Sequence, residues 1–112
     1  MQTQALNSVL EHLRITFDFN EEEARKLLKM LRKTLAESVH TLQATDSDKI
    51  YHTAHKLHSE LHMCGYEELS ELAAAIEAQA KKGTIDRPQI EDFLAQSSAF
   101  VITIDMWLSE TA

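Results

Sequence analysis

Four of the six histidines, His52, His55, His58 and His62, fall in one stretch at intervals of three, three and four residues. That spacing belongs to the surface of a helix, where side chains on successive turns stand next to each other. A neutral imidazole is one of the few side chains that is nucleophilic near neutral pH. An exposed, oriented histidine can therefore accept a phosphoryl group without an added base. Lys56 and His58 lie close enough to His55 along the chain to offer charge or a donor to the oxygens of an incoming group. Ser59 is small, as a surface that a partner must approach closely requires. Two other readings stand beside this one. His58 and His62, four residues apart, and His55 and His62, two turns apart, have spacings that can chelate a transition metal. Alternatively, all four are ordinary polar side chains at the flank of a helix.

The histidines need a helix to hold them, and the apolar pattern supplies one. The polar break Thr45 to Asp48 ends in capping residues, and a helix is expected from there to about Met63, with Gly65 as its terminator. At about 100° per residue, Ile50, Ala54, Leu57, Leu61 and Cys64 share one arc, the core-facing stripe. His55, His58 and His62 lie within about 60° of one another on the flank of that arc, with His52 farther round toward solvent.

Similar patterns run along the rest of the chain. Ala5, Val9, Leu10 and Leu13 predict a short first helix, ended and pinned to the core by Phe17 and Phe19 and sitting over the others as a lid. Asn20, followed by Glu21, Glu22 and Glu23, reads as a capped start with acidic residues at the positive end of a helix dipole. The second helix then carries Ala24, Leu27, Leu28, Leu31, Leu35, Val39 and Leu42 on one stripe, and Asn20 to Gln43 would span roughly 36 Å. On its outer face Glu21 with Arg25 and Glu22 with Lys26 are spaced to pair, so the basic run from Arg25 to Lys33 reads as a solvated face. Tyr66, Leu69, Leu72, Ala73, Ile76 and Ala80 mark a fourth helix closing at Lys81, Lys82 and Gly83. A fifth starts near Asp86 and Pro88, with Ile90, Phe93, Leu94, Ser97, Val101, Ile104 and Leu108 as its stripe and Trp107 beside it. Its β-branched segment from Phe100 to Ile104 has no second strand to pair with, so it is expected to stay helical. The fold class is all-α: an antiparallel four-helix bundle with a short additional N-terminal helix, residues 1–112 forming a single domain.

Composition narrows the function. The 112 residues carry 18 acidic and 11 basic side chains, a formal charge of −7, which disfavours nucleic acid or an anionic membrane as partner. No apolar run is long enough to span a bilayer and no basic-then-apolar leader opens the chain, so a cytoplasmic location is expected. The single Cys64 excludes an internal disulfide and is expected to be a buried structural thiol. No glycine-rich phosphate loop or nucleophile elbow is present. A metal site would need further ligands, and the fourth helix offers Glu67, Glu68, Glu71 and Glu77, whose faces the pattern leaves open. No native metal is expected.

From about Phe17 to Glu77 the chain resembles a histidine-containing phosphotransfer domain, the helical carrier of two-component phosphorelays. The family motif is an alanine, the phosphoryl-accepting histidine, then leucine two on, lysine three on, glycine four on and a second glycine ten on. Ala54, His55, Leu57 and Gly65 match it in register, as do Leu69, Leu72, Ile76 and Glu77 after the second glycine. His58 stands in place of the family lysine and Ser59 in place of the first family glycine. An imidazole can partly replace the lysine, although its charge falls away above about pH 6.5. The serine hydroxymethyl group narrows the space for a docking partner.

The resemblance implies a phosphoprotein, a phosphorelay intermediate in two-component signal transduction. His55 would take a phosphoryl group from a receiver-domain phosphoaspartate and pass it to another receiver. Lys56, His58 and Ser59 would position the group, and Gly65 would be structural, ending its helix and letting the fourth pass closely. The implied partners are response-regulator receiver domains and a hybrid histidine kinase, with magnesium on the receiver and no cofactor on this chain. It would be a monomeric phosphocarrier and not an enzyme in the usual sense. A docking module that has lost the chemistry, and a histidine-stripe metal protein, are the alternatives.

Overall fold

In the computed structural model, which describes residues 2–111, five helices follow one another and no strand occurs among the described residues. They are α1 (Gln2–Phe17), α2 (Glu21–Leu42), α3 (Ser47–Met63), α4 (Glu67–Lys81) and α5 (Arg87–Glu110). The packing runs α2 on α3, α3 on α4, α4 on α5 and α5 on α2, with α1 added against α5. The molecule measures 41 × 24 × 21 Å.

The helix ends follow from local chemistry. Asn20 and Glu23 form a capping box: the Asn20 side chain accepts from the Glu23 N–H at 2.8 Å, and the Glu23 carboxylate accepts from the Asn20 N–H at 3.0 Å. Asp46 caps α3 by accepting from the Asp48 and Lys49 N–H groups, and Asp86 caps α5 through Gln89, with Pro88 in the first turn. α3 and α4 both stop in a Schellman motif. Gly65 (φ +82) donates to His62 O while Tyr66 donates to Leu61 O. Gly83 (φ +81) and Thr84 repeat the pattern on Ala80 and Gln79. The helical segment from Phe100 to Ile104 keeps its helix because Phe100 and Ile104 are fully buried there.

Several expectations need correction. The first helix is not short: its 16 residues match the 15 of α4, and Leu6, Val9 and Leu13 are core residues, so it is part of the packing and not a lid. It ends where Asp18 adopts a left-handed backbone (φ 55), one that Asp tolerates better than most residues. Phe19 is half-buried against the core, but Phe17 is exposed and packs on Phe19 and His12 instead. The nearest neighbour of Gly65 is α1: a Cβ there would lie 2.6 Å from the His12 ring. Glu22 pairs with Lys26 as spaced, at 3.9 Å, but Arg25 does not pair with Glu21. It crosses to the end of α5 and donates to Leu108 O and the Thr111 hydroxyl. Arg87 does the reverse, donating to the carbonyls of Leu42 and Ala44 at the end of α2. Each guanidinium satisfies a carbonyl that a helix C-terminus leaves open.

Candidate functional site

The stripe expected of α3 is the one observed. Ile50, Ala54, Leu57, Leu61 and Cys64 are all buried, which fixes the rotation of the helix and leaves the histidines on its flank. The side chains of His52 and His62 are 70% exposed, that of His55 60% and that of His58 40%. Lys56 and Ser59 are exposed beside them.

α4 completes the site. It lies close along α3 because its facing side chains are small: Ala73 is buried, and buried Ser70 donates its hydroxyl to His58 O at 3.0 Å. Two turns beyond Ser70, Glu77 reaches both histidines. Its Oε2 accepts from His55 Nδ1 at 2.7 Å and its Oε1 from His58 Nδ1 at 3.0 Å. The Glu77 side chain is only 18% exposed. Burial by itself would raise its pKa, but the hydrogen bonds from His55 and His58, and the charge of those rings when protonated, hold the carboxyl below its usual range.

At neutral pH Glu77 is therefore an anion, and a carboxylate only accepts. Both rings must then carry a proton on Nδ1, which in the neutral imidazole leaves the lone pair on Nε2. No hydrogen bond engages Nε2 of either ring among the described residues. The His55 ring also lies nearly parallel to Tyr51 on the preceding turn, with centroids 6.2 Å apart and planes at 18°. An oriented nitrogen nucleophile on a largely exposed side chain is the chemical capacity of this surface.

The histidines divide among several carboxylates. His62 Nδ1 lies 3.0 Å from Glu67, and His52 Nε2 lies 3.6 Å from Asp48. Among the described residues no group of three or more His, Cys, Asp or Glu side chains is placed to hold a metal ion. Gly65 stands at the end of α3, where its left-handed backbone turns the chain into α4 under the His12 ring, whose Nε2 is 3.1 Å from Met63 O.

A family model, the Hpt domain, matches residues 21–110. The chain belongs to the Hpt domain family. Membership implies a part in two-component phosphorelay, in which Hpt domains interact with receiver domains and kinases. Comparison with curated proteins and with solved structures gives no match. The matched span contains the whole histidine surface and Glu77 but not α1. No helix is long and apolar enough to cross a membrane among the described residues.

Glu77 is the site residue whose role the pattern of residue types left unassigned. A signal for it existed. On a wheel of about 100° per residue, Glu77 falls roughly 70° from the centre of the stripe formed by Leu69, Ala73, Ile76 and Ala80, on the same side as Ser70. Glu67, Glu68 and Glu71 fall well away from it.

Proposed function

We propose that this protein is a phosphorelay intermediate whose His55 accepts a phosphoryl group from a receiver-domain phosphoaspartate and passes it to another receiver. The observation that carries the reading is the 2.7 Å hydrogen bond from Nδ1 of a largely exposed His55 to the ionised Glu77. In the forward step the Nε2 lone pair attacks phosphorus. The N–P bond forms as the P–O bond to the aspartyl carboxylate breaks, and the bonding pair leaves on that carboxylate. No proton has to depart, because Nδ1 keeps its own, and the positive charge that develops on the ring is met by Glu77. Transfer to a second receiver is the reverse.

Lys56 supplies exposed charge next to the acceptor, and His58, in the place of the family lysine, stands beside it on the same carboxylate. Ser59 sits on the exposed surface that a receiver would cover. Gly65 acts structurally, by ending α3. Magnesium belongs to the receiver, and the chain contributes no cofactor. The chemistry is completed by partners, so the protein acts as a carrier, as a cytoplasmic monomer in which α2 to α5 form an antiparallel four-helix bundle. Short connections between helices that pack on one another favour that arrangement.

The test is transfer from phosphorylated receiver domains to the wild type and to His55→Gln, with the modified residue located by fragmentation at neutral pH. The reading expects phosphate on His55 of the wild type and a loss of about tenfold or more in the variant, with receiver binding retained. Receiver binding without any transfer to the wild type would establish a docking module instead.

A further inference from the structure

Two imidazoles, not one, are held in the same way on this surface. We infer that His58 is a second phosphoryl-accepting side chain, aimed through Nε2 by the same carboxylate that aims His55. The inference rests on the phosphocarrier reading above and extends it from one acceptor to two.

The geometry treats the two rings alike. Glu77 gives one oxygen to each Nδ1, at 2.7 Å for His55 and 3.0 Å for His58, so neither ring has to displace the other. Because Glu77 only accepts, the neutral His58 ring carries its lone pair on Nε2, and 40% of its side chain is open to solvent. The other two histidines of this helix lack one part of this arrangement. His52 turns Nε2, not Nδ1, toward Asp48, at 3.6 Å. His62 directs Nδ1 to Glu67, but that carboxylate is 56% exposed, so water and salt screen the charge that would stabilise an imidazolium. Of the carboxylates that face these histidines only Glu77 is mostly buried, and among the described residues only His55 and His58 share it. The Ser70 hydroxyl, bonded to His58 O, fixes the backbone from which the second ring projects.

The step is the same for any donor with a labile phosphoryl group. His58 Nε2 forms the N–P bond while the donor bond breaks. The leaving group takes the bonding pair, as a carboxylate from an acyl phosphate or as ammonia from phosphoramidate, and the Nδ1 proton stays on the ring against Glu77. His58 is less exposed than His55, so it accepts more slowly and becomes visible when His55 is removed.

Phosphoramidate suits the test because it needs no docking surface. Wild type, His55→Gln, His55→Gln with His58→Gln, and His55→Gln with Glu77→Gln would be incubated with it, and the modified residue located by fragmentation. Circular dichroism would verify that each variant keeps its helical content. The expected result is phosphate on His55 in the wild type, on His58 in His55→Gln, and on neither when both are replaced. Adding Glu77→Gln should lower His58 labelling by about tenfold or more. A folded His55→Gln protein that stays unlabelled while the wild type is labelled on His55 would overturn the second acceptor and leave the phosphocarrier intact. Label on His52 or His62 instead, or labelling of His58 indifferent to Glu77→Gln, would also overturn it. A wild type without label would count against both.

Discussion

Glu77 organises the site at the scale of single residues, and its effects are measurable apart from any partner. Replacing it with Gln removes the anion that fixes both rings and meets the charge on a phosphorylated imidazole, so receiver-to-His55 transfer should slow by roughly tenfold to a thousandfold. Stopped-flow or quenched transfer measurements would read this. The carboxyl also has a stability signature. Its folded pKa is held below the unfolded value, so its contribution is complete above the ordinary carboxylate value of about 4.3 and is lost as pH falls through the lower folded value. The stability gap between wild type and Glu77→Gln, measured by urea unfolding, should shrink as pH falls below about 4. Cys64 makes a contrasting prediction. Burial, with the charge of Glu60 adding to it, pushes its thiol up to about 12, so a thiol reagent at neutral pH should modify it only as fast as the protein opens. The sequence made the histidines and buried Cys64 readable because both follow from one helical stripe. It did not assign Glu77, because a carboxylate shared across two helices depends on how closely those helices lie.

The two glycines separate local from tertiary causes at the scale of the element. Both end a helix in the left-handed region, but a Cβ on Gly83 meets nothing within 4 Å, while one on Gly65 would run into the His12 ring. Gly83→Ala should therefore cost only the backbone penalty, about 1–2 kcal/mol. Gly65→Ala should cost more, because the ring that lies over it must move. Pairing Gly65→Ala with His12→Ala in a double-mutant cycle of unfolding free energies should return most of the difference. A Gly65→Ala cost equal to that of Gly83→Ala would mean that the ring yields freely. Helix starts and stops were legible because caps are local: Asn20, Asp46 and Asp86 act within a few residues of themselves. The end of α1 at Phe17 was legible from the aromatic pair, but the left-handed backbone of Asp18 that makes the turn was not, since no glycine announces it.

The arrangement of the whole molecule decides which apolar residues matter. Because α1 packs on α5 and buries Leu6, Val9 and Leu13, Leu13→Ala should destabilise the protein by about 2–5 kcal/mol in chemical unfolding. A loss of only a few tenths would return α1 to the status of a lid. The same packing explains why the stripe expected on α5 is only part of its buried face. Of the expected stripe Ile90, Phe93, Ser97 and Ile104 are buried, yet Leu94 and Val101 are half-buried while Phe100, outside the stripe, is fully buried against Tyr66, at a centroid distance of 4.7 Å. A helix with neighbours on three sides, α1, α2 and α4, has a buried arc wider than one stripe, and apolar spacing alone cannot place its centre. The two arginines that tie α2 and α5 end to end were invisible for a similar reason: Arg25 and Arg87 act across more than forty residues of sequence. The central claim is that this helical frame presents His55 as a phosphoryl acceptor. The most direct measurement is phosphoryl transfer from a phosphorylated receiver domain at neutral pH, with the modified residue mapped in the wild type and in His55→Gln. The account predicts phosphate on His55 and a loss of most transfer in the variant; equal transfer to both proteins, or phosphate on the wild type only at other residues, would contradict it.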